Sequence, residues 1–348
     1  MIPACRIARY LRKKYGARIM FIGGKKGLES KIVPDWGFDI VTIDVKPMPR
    51  KIGTKAIIFP FMLISTVLKA RSVIKKFAPD AIISTGGFAS GPASIAAAIM
   101  RTPLFLQEQN SYPGITQRYA SRWAKRVYYS FPGSQEYFKS SKNAVLMGNP
   151  VDISDDEFDR EAFLSELSLN PKKNTIFITG GSQGAKSINS AIRKFCDYSG
   201  QYNILWQTGN RNYNDIVSSF NGNIPAYVSL HHFIKDMDRF YKASDIVIAR
   251  AGALTLAEIA GYGKPSILVP YPYAAADHQT KNAQAFVECG AAVAIKDGKL
   301  EAGILSDTLS DIMQKNNLDR MKKAALKLGK PNALENICQD IIFSMGAK

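Results

Sequence analysis

NTIFITGGSQGAKSINSAIRKF, residues 174–195, opens on the apolar run Thr175–Thr179, turns at Gly180-Gly181 and continues as the helix-like SINSAIRKF. A short apolar strand, a glycine turn and a helix, in that order, are the parts of a parallel sheet with covering helices. Glycines in such a turn let backbone N–H groups approach an anion at the helix N-terminus, where the helix dipole favours negative charge. The stretch is one residue short of a P-loop: Ala185 stands where the pattern requires a glycine before Lys186-Ser187. Read alone, it is either a phosphate loop or a plain tight turn.

The same arrangement recurs outward on both sides. ARIMFIG precedes Gly24, DAIIST precedes Gly86, and YNILWQT, SDIVIAR and PSILVPYP are further apolar strands. Strand and helix in alternation predict an α/β protein, built as two Rossmann-like domains facing a cleft. A polar acidic run, DISDDEFDRE, follows Gly148-Asn149-Pro150 and places the boundary there. The expected domains are 1–150 and 151–330; 331–348 forms a last helix packing back on the first. Pro3 suits a helix's first turn, and Ile7 and Leu11 have helical spacing, so the chain begins on a helix.

Composition narrows the function classes. With 348 residues, 46% apolar and 22% charged, the chain has material for two packed cores and no disordered signature. Its longest apolar stretch, Ala56–Leu68, contains Pro60 and falls short of the ~20 residues that span a bilayer. The first residues carry Arg6, Arg9, Arg12, Lys13 and Lys14 with no signal-peptide apolar region, so a cytosolic location is expected. Cys5, Cys196, Cys289 and Cys338 are too scattered for a zinc site or a disulfide framework. The net charge of +17 favours a polyanion or an anionic membrane surface as partner. No RNA- or DNA-binding motif accompanies it, so nucleic acid is not expected as a partner.

Gly86-Gly87-Phe88-Ala89-Ser90-Gly91-Pro92 repeats the strand-turn-helix physics and is a second candidate anion loop. In Arg250-Ala251-Gly252-Ala253-Leu254-Thr255-Leu256-Ala257-Glu258, Thr255 and nearby amides can meet a phosphate, and Glu258 can accept both hydroxyls of a ribose or simply solubilise its helix. Gln279 and Asn282 share a helical face and offer the paired donors and acceptors that sugar hydroxyls need, although surface polarity explains them equally.

Taken in place, GGSQGAKSIN (180–189), QTGNRNY (207–213), FIKDM (233–237), ARAGALTLAEIAGYGKPSILVPYP (249–272), DHQTKNAQ (277–284), LQEQNSYPGITQR (106–118) and FPGS to GNPV (131–151) strongly resemble the MurG family. Its members are undecaprenyl-diphospho-muramoylpentapeptide beta-N-acetylglucosaminyltransferases of bacterial cell-wall synthesis. The resemblance implies a GT-B fold, with 1–150 the acceptor and membrane-side domain and 151–330 the UDP-sugar-binding domain, and an inverting transfer from UDP-N-acetylglucosamine to the muramoyl 4-hydroxyl of a lipid-linked acceptor, with no cofactor. It implies Ser182 near the phosphates, Ile234 and Met237 at the uracil, Ala253, Leu254 and Thr255 on the diphosphate, Glu258 on the ribose, and Gln279 and Asn110 on the N-acetylglucosamine. It also implies Gly87, Ser90 and Gly91 at the acceptor. Asp236-Met237-Asp238 is formally a metal-binding DxD, but it lies in the family's FIxDM segment at a helix start, so no metal is expected.

Two departures accompany the resemblance. The family opens on a strand and a GGTGGH loop carrying a proposed general-base His, ahead of an IxPA-like helix start; here the sequence starts at Met1-Ile2-Pro3-Ala4, and that element is expected to be missing. The catalytic base is therefore unassigned. His231, His232 and His278 lie in the donor half, and Glu108 of QEQN is the candidate substitute. The family's GNPVR reads here as GNPVD, placing Asp152 where a cation is expected near the diphosphate.

The acceptor implies the cytoplasmic face of the bacterial membrane, with cell-wall synthesis proteins as further partners. IIFPFMLISTVLKARSVIKKF, Ile57–Phe77, mixes aromatics, aliphatics and cations as an interfacial helix does, or as a core helix with basic exposed positions does. The competing readings are a relative that binds UDP-sugar without turnover and, from another class, a P-loop-like nucleotide hydrolase.

Overall fold

The computed structural model describes residues 1–25, 27–45, 54–139 and 141–346, the side chains of 54–57 and 141 excepted. The chain divides into two units, Met1–Val151 with Asn332–Lys348, and Asp152–Pro331.

In the first unit, β1 (Met20–Gly24) and β2 (Asp39–Ile43) form a parallel pair. The strands β3 (Ile82–Ser84), β4 (Leu104–Glu108), β5 (Arg126–Tyr129) and β6 (Ala144–Leu146) form a parallel sheet in that order. Every residue of β4 is buried, as in a parallel strand covered on both faces. Pro3 sits in the first turn of the helix Ile2–Tyr15, where its missing N–H has no intrahelical partner to lose. That helix lays Ile7 and Leu11 in one core with Phe105, Tyr128, Leu334, Ile337, Cys338 and Ile341. The last four belong to the helix Ala333–Ser344, which is therefore part of the first unit's interior. Polar ties edge the contact: Tyr10 Oη and Lys14 Nζ donate to Glu335 at 2.9 and 2.7 Å, and Tyr128 Oη donates to Asp340 at 2.7 Å.

In the second unit, β7 (Thr175–Thr179), β8 (Asn203–Gln207), β9 (Val228–His231), β10 (Ile246–Ala249), β11 (Ser266–Leu268) and β12 (Ala292–Ala294) form one parallel sheet of order β12-β11-β10-β7-β8-β9. Side chains of β7 alternate between its faces. Ile176 and Ile178 pack with Ile188, Ile192, Phe195 and Leu305, while Phe177 meets Tyr241 and Phe240, with ring centroids at 5.3 and 5.8 Å. Strand order reverses between β7 and β10, and in doubly wound sheets such a reversal opens a crevice outside the carboxyl ends of the strands. The α/β expectation holds: each run named as a strand from the sequence overlaps one of these strands.

Lys264 closes one helix of this unit. Its Nζ donates to the carbonyls of Ser244 at 2.7 Å and Lys242 at 3.4 Å, at the C-terminal end of the helix Met237–Ala243. Burial pushes its ammonium down to about 8. Between about pH 8 and pH 10.5 the unfolded chain therefore binds the proton more tightly than the folded one, and stability rises with pH across that window. Relative to Lys264→Met, the unsubstituted chain should gain roughly 2–3 kcal/mol over this range in urea titrations at stepped pH. A stability difference independent of pH would refute the reading.

Candidate active site

The loop leaving β7 is shaped by backbone contact. Gly181 and Gly184 have φ of +85° and +76°, and the Gly184 N–H donates to the Gly181 carbonyl at 2.9 Å. A Cβ on Gly184 would lie 2.0 Å from the Thr208 carbonyl oxygen, and one on Gly209 would lie 2.2 Å from the Gly184 nitrogen. The QTGN segment thus packs backbone to backbone against GGSQG. Three amides fasten it there: Gln207 Nε2 donates to Thr179 Oγ1 at 3.0 Å, Asn212 Nδ2 to the Gln183 carbonyl at 3.3 Å, and Asn189 Nδ2 to the Thr208 carbonyl at 2.9 Å.

Two helices begin at the strand-order reversal, Lys186–Phe195 after β7 and Ala253–Gly261 after β10. In neither does the N-cap side chain bond the first turn, and the dipole of a helix N-terminus favours an anion. Both open on a cavity of about 770 Å³ whose lining includes Gly180, Gly184, Lys186, Thr255, Gln279 and Asp297. Thr255 and Gln279, 24 positions apart in sequence, are thereby brought together with the glycine loop. Ser182 is exposed within that loop, and Ala253 and Leu254 form the first turn of the second helix. Glu258 lies farther along that helix, where it accepts a bond from Tyr241 Oη at 3.3 Å.

Gln279 is already oriented. Its Oε1 accepts the Tyr271 N–H at 2.9 Å, which leaves the Nε2 donors for another partner. Asn282 departs from the sequence reading: it is fully buried, its Nδ2 donates to the Ala251 carbonyl at 3.3 Å, and it supports the loop instead of presenting an amide to a sugar. The Ile234 N–H is committed to Gln207 Oε1 at 2.8 Å, so a base meeting this backbone would meet a carbonyl; Met237 opens the next helix. In the DxD, the Asp238 carboxylate accepts from Tyr262 Oη and pairs with Lys242 at 3.1 Å. His231 faces Ser229 Oγ at 2.8 Å, with burial lowering its pKa, and His232 faces Asn210 at 3.0 Å.

In the first unit, Glu108 ends β4 and is 3% exposed. Its Oε1 accepts from the Asn110 N–H at 3.0 Å and Asn110 Nδ2 at 3.3 Å, and its Oε2 from the Gly114 N–H at 3.2 Å. Burial raises its pKa against the pull of those donors. A carboxylate so engaged braces the 108–114 loop and orients Asn110. Gly87, Ser90 and Gly91 gather at the start of the helix Ser90–Met100, where Ser90 Oγ donates to the Gly87 carbonyl at 2.7 Å.

Sequence reading missed the bracing role of Gln207, Gly209 and Asn212, for which the QTGN motif after β8 was the available signal. It also missed Asp297, which no local pattern marks.

Comparison with known proteins gives the following. The model for the glycosyltransferase family 28 N-terminal domain matches residues 1–129, and that for the family 28 C-terminal domain matches residues 175–337. The chain is 37% identical over 345 residues to the UDP-N-acetylglucosamine--N-acetylmuramyl-(pentapeptide) pyrophosphoryl-undecaprenol N-acetylglucosamine transferase of Flavobacterium psychrophilum, covering 98% of this chain and 93% of that one. It is 38% identical to the protein of the same name from Desulforamulus reducens, covering 96% and 93%. Among solved structures it is similar to Acinetobacter baumannii MurG, with a TM-score of 0.78 at 28% identity over 97% of this chain and 94% of that one. The calicheamicin glycosyltransferase CalG4, at 12% identity and a TM-score of 0.70 over 99% and 95%, shares the fold.

Proposed function

The chain belongs to the MurG transferases of glycosyltransferase family 28, and from that premise we propose that it moves N-acetylglucosamine from UDP-N-acetylglucosamine to the muramoyl 4-hydroxyl of undecaprenyl-diphospho-muramoylpentapeptide, the step from lipid I to lipid II. The acceptor hydroxyl oxygen attacks the anomeric carbon and gives up its proton, the bond from that carbon to the diphosphate oxygen breaks with inversion, and UDP leaves with the bonding electron pair.

One observation carries the donor assignment: two helix N-termini converge on a single cavity with Thr255 and Gln279. Charge develops on the departing diphosphate, and N–H groups fixed before the reaction stabilise it without reorganising. Ser182, Ala253, Leu254 and Thr255 serve the diphosphate, Ile234 and Met237 the uracil, Glu258 the ribose, and Gln279 and Asn110 the sugar. Gly87, Ser90 and Gly91 serve the acceptor, and the reading assigns no residue of this chain as the base.

The membrane contact is assigned to the first unit, at the cytoplasmic face. That unit carries 25 Lys and Arg against 9 Asp and Glu, whereas the second carries 21 against 20, so nearly the whole surplus lies in one half. On the helix Thr54–Phe77, Ile58, Phe61, Ile64 and Leu68 are 53%, 72%, 58% and 55% exposed, beside exposed Lys69, Arg71, Lys75 and Lys76. The side chain of Ile57, where the interfacial stretch was expected to begin, lies outside the described residues. Exposed Tyr119 and Trp123 add amphipathic rings, with Arg122 at 5.3 and 5.6 Å from them. No helix of the described residues is long and apolar enough to cross a membrane.

Calorimetry with UDP-N-acetylglucosamine, followed by transfer to the lipid-linked muramoyl-pentapeptide in vesicles with and without anionic lipid, tests both halves. Saturable binding and faster transfer on the anionic vesicles are expected. Binding without transfer selects the binding-only alternative, and the absence of binding overturns the donor site.

A further inference from the structure

A carboxylate is out of place in a cavity read as a diphosphate site, yet Asp297 lines this one. Its Oδ1 accepts from Arg250 Nη1 and, at 2.6 Å, from Ser187 Oγ. Arg250 Nη2 donates to Ser187 Oγ at 2.9 Å, and Nη1 also reaches the carbonyls of Val269 at 3.0 Å and Pro270 at 3.3 Å. The guanidinium is thus spent on protein groups from three chain segments beyond its own: the start of the helix Lys186–Phe195, the exit of β11, and the turn at Asp297–Lys299. The exit of β11 leads into Tyr271, whose N–H holds Gln279. The cluster therefore ties the glycine-loop helix to the segment that orients the sugar-facing amide, and its formal charge is zero.

We propose that Asp297 is a positioning residue of the donor site: it holds Arg250 and Ser187 in this three-way clamp and cancels the Arg250 charge, so that the diphosphate is held by helix N-termini and Lys186 and not by an arginine. The inference rests on the donor-site reading above. Its functional sense is release, because an uncompensated guanidinium beside the diphosphate would hold the UDP product as firmly as the substrate.

The test is a charge cycle read by calorimetry with UDP, at low and high salt, on the unsubstituted chain, Asp297→Asn, Arg250→Met and the double variant, with folding followed by thermal unfolding. Asp297→Asn keeps an acceptor oxygen of the same shape for Arg250 and Ser187, so geometry is retained while the cavity gains a positive charge. UDP should bind roughly tenfold tighter, about 1.4 kcal/mol, with a steeper salt dependence. Arg250→Met leaves Asp297 uncompensated and should weaken UDP roughly tenfold; the double variant, neutral again, should return to within about threefold of the unsubstituted chain. A purely structural residue would weaken binding in both single variants, with no recovery in the double. If Asp297→Asn weakens UDP binding or leaves it unchanged, the proposal is overturned. If the unsubstituted chain binds no UDP, the donor-site reading fails and the proposal fails with it; binding there without the tightening in Asp297→Asn rejects the proposal alone.

Discussion

Gly184→Ala should eliminate measurable UDP-N-acetylglucosamine binding and destabilise the chain by about 2–4 kcal/mol, adding the strain of a left-handed residue with a Cβ to the cost of overpacking. Gly184 has φ +76°, and its Cβ would stand 2.0 Å from the Thr208 carbonyl oxygen and 2.6 Å from Asn212 Nδ2. The carbonyl belongs to backbone that cannot swing aside. Relief requires the GGSQG and TGN segments to part, and that movement carries away the loop that opens on the cavity. Gly181→Ala is the control. Its φ is +85°, yet nothing lies within 4 Å of its Cβ position, so only the conformational strain of about 1–2 kcal/mol applies and binding should survive within about tenfold. Urea titrations and calorimetry on both variants decide the matter; equal effects would mean that left-handed strain, and not the contact with residues 208–212, governs this loop.

Gln279→Ala should lower kcat/KM for UDP-N-acetylglucosamine by about 10²–10³-fold, about 3–4 kcal/mol, while UDP alone binds within about threefold of normal. The split follows from orientation. With Oε1 taken by the Tyr271 N–H, the amide presents donors, and those donors are assigned to the sugar. Gln279→Glu keeps an acceptor for Tyr271 but sets an anion where a donor stood, so it should lose as much transfer and weaken UDP as well. Should UDP and the UDP-sugar weaken equally in the alanine variant, Gln279 is a loop support and the sugar assignment falls.

Much of this was legible in one dimension because it depends on neighbours in sequence. The run Thr175–Thr179 reads as a strand since burial on both faces demands unbroken apolar residues, and the glycines after it read as a turn since a loop between strand and helix must reverse the chain. Gly184 and Gly209 mark where the limit lies. Each was visible as a glycine, but that they exist for each other follows only when β8 is laid beside β7. The same holds in the first unit. Glu108 looked like a spare base because its type suits proton transfer, and its bonds to Asn110 and Gly114 show that the chain folds back on its carboxylate.

The sequence by itself determined the α/β alternation, the glycine loops and, through motifs spread over nearly the whole chain, the family. Tertiary structure alone decided which groups face the cavity and with what charge. Sheet order sets β10 between β7 and β11, so Ser187, Arg250 and Asp297, separated by 63 and 47 positions, converge at the carboxyl ends of the strands. Periodicity records which residues are buried, because burial follows from the local geometry of a strand or helix. It does not record which buried partner each one meets, because that depends on how strands distant in sequence are ordered side by side.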